Sequence, residues 1–154
     1  MKEEKHIFIS HCGEHEKYIE PFKKLLGAKG YEFKDSTPVL SDPNNAKNDD
    51  YAKSLVARDI KWAGTVFVLI GRDTAKSDWV NWEIEYAAKH DKQIIGVFLR
   101  SGCDFEIPQA LNDCGDALVG WNSKTIEDAM NGSKEWQNQD GSRRPDKKNL
   151  RGVC

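Results

Sequence analysis

The sequence predicts an α/β fold, a three-layer sandwich in which helices cover both faces of a five-stranded, mostly parallel β-sheet. Two observations predict it. Apolar runs typical of strands alternate along the chain with segments of helical periodicity, which is the pattern of parallel strands joined by crossover helices. Residues 65–70 and 93–99 are almost continuously apolar, as central strands covered on both faces are.

The first half of the chain begins with a β-branched and aromatic run and continues with apolar residues at helical spacing. Glycines then end the first helix, and a segment rich in Pro, Asn and Asp forms a long loop. In chain order we predict a strand at 6–10, a helix ending at Gly27, a strand at 31–34, a polar loop at 35–48 and a helix at 49–62.

The second half repeats the alternation of strand and helix. In chain order we predict a strand at 65–70, a polar loop at 71–77, a helix at 79–90, a strand at 93–99, a short strand at 117–120 and a helix at 125–130.

The most economical strand order is the flavodoxin-like order 2-1-3-4-5. In that order the connections after strands 1 and 3 diverge to opposite faces of the sheet, and ligands bind beyond the carboxyl ends of these two strands. The loops at those ends are residues 10–15 and 71–78. The second loop leads into the helix at 79–90, so we expect the first turns of that helix at the ligand site.

The chain length and the C-terminal composition predict one domain and a tail. A chain of 154 residues has room for one ordinary globular core. Residues 134–154 contain six Lys or Arg and three Asp or Glu, with few apolar residues. We therefore predict a domain over residues 1–132 and a polar C-terminal tail over residues 133–154.

Composition argues against several classes of partner. The formal net charge of −2 gives no reason to expect nucleic acid or an anionic membrane. No apolar run approaches a membrane span and no apolar signal core follows Met1, so we expect a cytoplasmic protein.

The four cysteines lack CxxC spacing, and Cys12 with His15 has no second cluster to complete a zinc site, so we expect reduced thiols and no metal. There is no GxGxxG motif and no Walker loop.

The helix at 79–90 places a large aromatic side chain and a carboxylate four residues apart. Trp79 and Glu83 therefore rise on one helical face. This face is a stripe at the edge of the core, where a carboxylate can be partly desolvated and still reach a cleft. The alternative is an amphipathic helix whose Trp covers its rim. The predicted core stripe contains Val80, Ile84, Ala87 and Ala88, and the predicted edge stripe contains Trp79, Glu83, Tyr86 and His90.

Five segments in this order are more specific than any one of them: HIFISH at 6–11, VLIG at 68–71, DWVNWEI at 78–84, IP at 107–108 and VGWN at 119–122. Together they resemble a TIR domain, and more closely the bacterial TIR-like proteins of Thoeris antiphage defence. The resemblance spans about residues 5–132. It implies that NAD is the substrate, that no cofactor is needed, and that the catalytic residue is Glu83, the glutamate of the WxxxE segment.

The resemblance also implies a nucleotide-binding role for five further residues, by their positions in the family pattern. Trp79 would line the nicotinamide ribose. For Phe8 a role in the core stays open, and Ser10 and His11 could instead satisfy backbone groups at the strand end. The implied NAD-binding residues are Phe8, Ser10, His11, Tyr51 and Trp79.

The implied function is that of a TIR-family NAD glycohydrolase or ADP-ribosyl cyclase. Its product would be a diffusible ADP-ribose derivative, commonly cyclic, that activates a separate effector protein in antiphage defence. Enzymatic TIR domains generally complete their NAD pockets across subunits, so self-association is also implied. Exposed faces of Trp62, Trp82 and Trp136 are candidate interface anchors. Two alternatives stay open, a TIR module that only assembles partners and a nucleoside deoxyribosyltransferase. The register of Glu83 with Trp79 favours an enzyme.

Overall fold

The centre of the fold is a five-stranded sheet with every neighbouring pair parallel and the order β2-β1-β3-β4-β5. The computed structural model describes residues 5–27, 30–35, 49–99, 106–134 and 136–137. The predicted fold class and strand order are confirmed. The strands are β1 Lys5–Ser10, β2 Tyr31–Asp35, β3 Thr65–Ile70, β4 Gln93–Phe98 and β5 Ala117–Val119.

The helices are α1 Ile19–Leu26, α2 Asp49–Trp62, α3 Asp78–Lys89, α4 Gln109–Cys114 and α5 Ser123–Met130, with 3₁₀ turns at Gly13–Tyr18 and Thr74–Lys76. Helix α3 begins at Asp78 because the Ser77 hydroxyl accepts the Val80 N–H at 3.1 Å and so caps the helix. Helix α4 was not predicted, since six residues are too few to show helical periodicity. Among the described residues, no helix is long and apolar enough to cross a membrane.

Two apolar cores lie on opposite faces of the sheet. Successive residues of β3 alternate between them, and all six residues of β3 are buried, which confirms the prediction of a strand covered on both faces. Helices α2, α3 and α4 pack on the first face and helices α1 and α5 on the second. The first core receives Val66, Val68 and Ile70 from β3, and the second receives Phe67 and Leu69.

Gly96 in β4 lets α4 approach the sheet closely. A Cβ atom at this position would come within 2.6 Å of Leu111 Cδ2 and 2.8 Å of Leu118 Cδ1. A side chain therefore cannot be accommodated there without moving the core.

The beginning of the predicted tail lies against the edge of the sheet. Trp136 forms a parallel bridge with Leu118, and the Gln137 N–H donates to the Leu118 carbonyl at 2.7 Å. The Gly120 N–H donates to Gln137 Oε1 at 3.2 Å. This segment thus satisfies backbone groups on the outer edge of β5. The predicted tail beyond residue 137 lies outside the described residues.

Cys12 and Cys114 are half-buried, and neither forms a disulfide with a described residue. Cys103 and Cys154 lie outside the described residues.

Candidate active site

Strands β1 and β3 lie side by side, so the loops that follow them meet at one edge of the sheet, as the strand order predicted. Ser10 is the last residue of β1 and pairs with Val68 of β3. Helix α3 starts from the loop after β3 and brings Glu83 over the end of β1. The Ser10 hydroxyl donates a hydrogen bond to Glu83 Oε1 at 2.7 Å.

The Glu83 carboxyl is buried completely, with 0% of its surface exposed. The prediction of a partly desolvated carboxylate at the core edge is therefore wrong in degree, because β1 closes over the side chain. Burial raises the Glu83 pKa from its ordinary 4.5 to about 8. The Ser10 hydrogen bond and the nearby Trp79 N–H oppose this rise, and the negative charge of Asp35 adds to it.

A buried donor and a buried acceptor lie together beside this hydrogen bond. The Trp79 indole N–H is near enough to the Glu83 carboxyl to lower its pKa. Yet neither Trp79 Nε1 nor Glu83 Oε2 makes a hydrogen bond of full geometry to any described residue. Buried polar atoms without partners cost free energy. A hydroxyl group, which donates and accepts at once, has the complementary chemistry.

A row of aromatic rings runs along α3 from the buried carboxyl outward. Neighbouring ring centroids are 5.6 Å apart for Trp79 and Trp82, 5.4 Å for Trp82 and Tyr86, and 4.4 Å for Tyr86 and His90. The predicted edge stripe is therefore present, with two differences. Trp82, which was expected at the surface, belongs to the row, and Glu83 turns away from it toward β1.

The loops after β1 and β3 are tied together by buried polar side chains. His15 Nδ1 lies 3.5 Å from Thr74 Oγ1, which accepts the Gly71 N–H at 2.9 Å. His11 is also buried, and burial lowers its pKa although Asp35 and Glu16 oppose the shift. In the described part of the chain, no group of three or more His, Cys, Asp or Glu side chains is placed to hold a metal ion.

Asn81 is a residue whose role the sequence reasoning missed. Its Nδ2 donates to the Ser77 carbonyl at 3.0 Å and to the Ala75 carbonyl at 3.3 Å, and its Oδ1 accepts the Ala110 N–H at 3.1 Å. Asn81 thereby joins the start of α3 to the preceding loop and to α4. The sequence does contain a signal for this role, because Asn is unfavourable inside helices and its presence in a helical pattern indicates a specific hydrogen-bonding use.

The predicted site residues separate into two groups. Ser10, Trp79 and Glu83 come together, and His11 follows Ser10 in the chain. Phe8 is fully buried and packs in the core between the sheet and α2, α3 and α4. Tyr51 stands on the first turn of α2 with 48% of its surface exposed.

Trp62, Trp82 and Trp136, the predicted interface anchors, are half-buried, so each keeps part of its surface exposed. Trp62 stacks on His6 at a centroid distance of 4.2 Å. Lys53 Nζ lies 5.4 Å from the Trp82 ring centroid, and Trp136 packs against the first core. Each ring is therefore engaged within its own chain.

Comparison with known proteins agrees with this architecture. The family model of the Thoeris protein ThsB, TIR-like domain, matches residues 8–102. No curated protein sequence matches the chain. Similar solved structures include a 2-deoxyribosyltransferase from Bacillus psychrosaccharolyticus, with TM-score 0.61, 16% identity and coverage of 79% of this chain and 90% of that one. A Clostridium botulinum CMP N-glycosidase, BcmB, has TM-score 0.50 and 19% identity, and the match covers 82% of this chain and 97% of that one.

Proposed function

The chain belongs to the Thoeris ThsB TIR-like family, and on that premise we propose that it cleaves the bond between nicotinamide and ribose in NAD, with Glu83 as the catalytic residue. The observation that carries this proposal is a fully buried carboxyl at the sheet's switch point, hydrogen-bonded by Ser10 and next to the Trp79 N–H. A buried carboxyl with a strongly raised pKa in this position is typical of a functional group rather than of a core residue.

A single carboxylate suits the cleavage of NAD. When the bond between the ribose C1′ and the nicotinamide nitrogen breaks, its electron pair neutralises the positive nicotinamide ring, so the leaving group needs no proton. Positive charge then develops at C1′ and the ring oxygen, and a buried carboxylate stabilises it. The cationic substrate also favours the ionised form of Glu83, so binding of NAD and loss of the Glu83 proton are coupled.

The polar atoms beside Glu83 support a ribose rather than a deoxyribose. A ribose hydroxyl at this place accepts a hydrogen bond from the Trp79 N–H and donates one to Glu83 Oε2, which satisfies both buried atoms. A 2-deoxyribosyl group lacks the hydroxyl next to the reacting carbon. The deoxyribosyltransferase alternative rests on the shared fold, and this pair of atoms argues against it.

Burial of the site also bears on the product. We propose that the ribosyl cation is captured by a nucleophile of the same molecule, giving a cyclic ADP-ribose derivative that acts on a separate effector protein in antiphage defence. Complete enclosure of Glu83 supports this, because a site that excludes water favours an internal nucleophile. Completion of the NAD pocket by a second copy of the chain, which the family resemblance implies, is also part of the proposal.

The decisive experiment compares Glu83→Gln with Glu85→Gln. The first keeps the size of the side chain and removes its charge, so NAD turnover should fall by about 10² or more. The second changes an exposed carboxylate on the same helix and should change turnover little. Normal turnover by folded Glu83→Gln protein contradicts the proposal.

Three further measurements test the rest of the proposal. The mass of the product distinguishes a cyclic compound, one water lighter than ADP-ribose, from linear ADP-ribose, which would favour NAD depletion over signalling. Parallel incubation with a deoxynucleoside tests whether the protein is instead a nucleoside deoxyribosyltransferase. Activity per molecule should rise with protein concentration if a second copy completes the pocket. Constant activity per molecule in a monomeric protein would exclude this part of the proposal.

A further inference from the structure

The geometry points to Ser10 as a positioning residue, whose hydroxyl holds the Glu83 carboxyl and favours its ionised form. This inference rests on the proposed function only for its effect on NAD turnover. It gives the Ser10 hydroxyl a different use from the nucleotide contact that the family resemblance implied.

The contact between Ser10 and Glu83 joins two rigid elements. Ser10 ends β1, where its pairing with β3 fixes the backbone, and Glu83 lies in the second turn of α3. Both side chains are fully buried, and the oxygen atoms are 2.7 Å apart. This is the ordinary distance of an O–H···O hydrogen bond, and the bond becomes stronger when the accepting carboxyl is ionised. Ser10 thereby orients Oε1 of the carboxyl, and Oε2 makes no hydrogen bond to any described residue.

The other groups around Glu83 do less to favour its charge. Asp35, at the end of β2, opposes ionisation through its like charge. Burial lowers the pKa of the neighbouring His11, which disfavours its cationic form. Lys53 of α2 lies over the Trp82 ring, and Glu85 on α3 itself is exposed. The Trp79 N–H does not reach full hydrogen-bond geometry with any described residue. The hydroxyl of Ser10 is thus the best-placed group that stabilises the anion.

The test measures the titration of Glu83 without any substrate. Urea denaturation from pH 5 to pH 10 measures the free energy of unfolding of each protein with and without the Glu83→Gln change. The difference between the two free energies levels off above the folded-state pKa of Glu83. In the Ser10→Ala background, the pH at which the difference levels off should be about one unit higher than in the wild type, because one charge-assisted hydrogen bond is lost. Ser10→Thr keeps a hydroxyl, so its stability difference should level off at the wild-type pH.

The second readout is the pH profile of NAD turnover. Ser10→Ala should lower kcat/KM about tenfold at pH 7. As the pH rises, kcat/KM of this variant should approach the wild-type value, because more Glu83 is then ionised. Ser10→Cys, with a weaker donor, should lie between Ser10→Ala and the wild type, and it replaces Ser10→Ala if that variant does not fold.

The inference is overturned if the stability difference levels off at the wild-type pH in Ser10→Ala, or in Ser10→Cys where that variant replaces it. A loss of turnover in Ser10→Ala that is equal at every pH would also overturn it. If the wild-type protein does not cleave NAD at all, the proposed function fails, while the denaturation measurements still decide the role of Ser10.

Discussion

Glu83→Gln should make the folded protein more stable at neutral and alkaline pH while removing its activity. The Glu83 pKa is about 8 in the folded protein and near its ordinary 4.5 when the chain is unfolded. The folded state therefore binds this proton more tightly than the unfolded state does. The contribution of Glu83 to stability is complete below pH 4.5 and is lost as the pH rises through about 8. Gln carries no ionisable proton and escapes this loss.

The size of the effect follows from the two pKa values. They differ by about 3.5, and each pH unit between them corresponds to about 1.36 kcal/mol, so the full difference is about 5 kcal/mol above pH 8. At pH 7 it is about 3 kcal/mol. A change of this size is a large fraction of the total stability of an ordinary domain, which is about 5 to 15 kcal/mol.

The assay is urea denaturation of the wild type and Glu83→Gln at several pH values between 4 and 9. The stability of Glu83→Gln relative to the wild type should increase with pH and level off above about 8. Glu85→Gln, which changes an exposed carboxylate two residues away, should show no such increase. Parallel curves for Glu83→Gln and the wild type would refute the argument, because Glu83 would then ionise equally in both states.

Three further predictions concern activity and packing. The kcat/KM for NAD should rise with pH and level off above about 8, as Glu83 of the free enzyme ionises; a flat profile measured across this range would contradict the assignment. In urea denaturation, Gly96→Ala should lower the free energy of unfolding by about 1 to 3 kcal/mol, because the added methyl group overlaps Leu111. The control Gly64→Ala, with open space around it, should change the free energy of unfolding by less than about 0.5 kcal/mol. Asn81→Ala should cost about 1 to 3 kcal/mol in the same assay, since three hydrogen bonds are lost, and a neutral result would show that water replaces them.

The sequence by itself determined the fold and the place of the candidate site. Continuous apolar runs predicted the central strands β3 and β4, and helical periodicity predicted α2 with its observed bounds, Asp49–Trp62. These patterns are local, so they survive in a single sequence. The strand order then placed the start of α3, with Trp79 and Glu83, at the ends of β1 and β3. Helix α4 escaped prediction because six residues carry too little periodicity.

Only the tertiary structure decided the chemical state of Glu83. Its hydrogen-bond donor, Ser10, lies 73 residues earlier in the chain, and Asp35 reaches it from a third segment. Helical register shows which face of α3 a residue occupies, but it does not show what closes over that face. Likewise the aromatic character of Trp62 and Trp82 is plain in the sequence, whereas their burial depends on His6 and Lys53 from other elements. Burial and charge are sums over neighbours that are distant in sequence, so they appear only once the chain is folded.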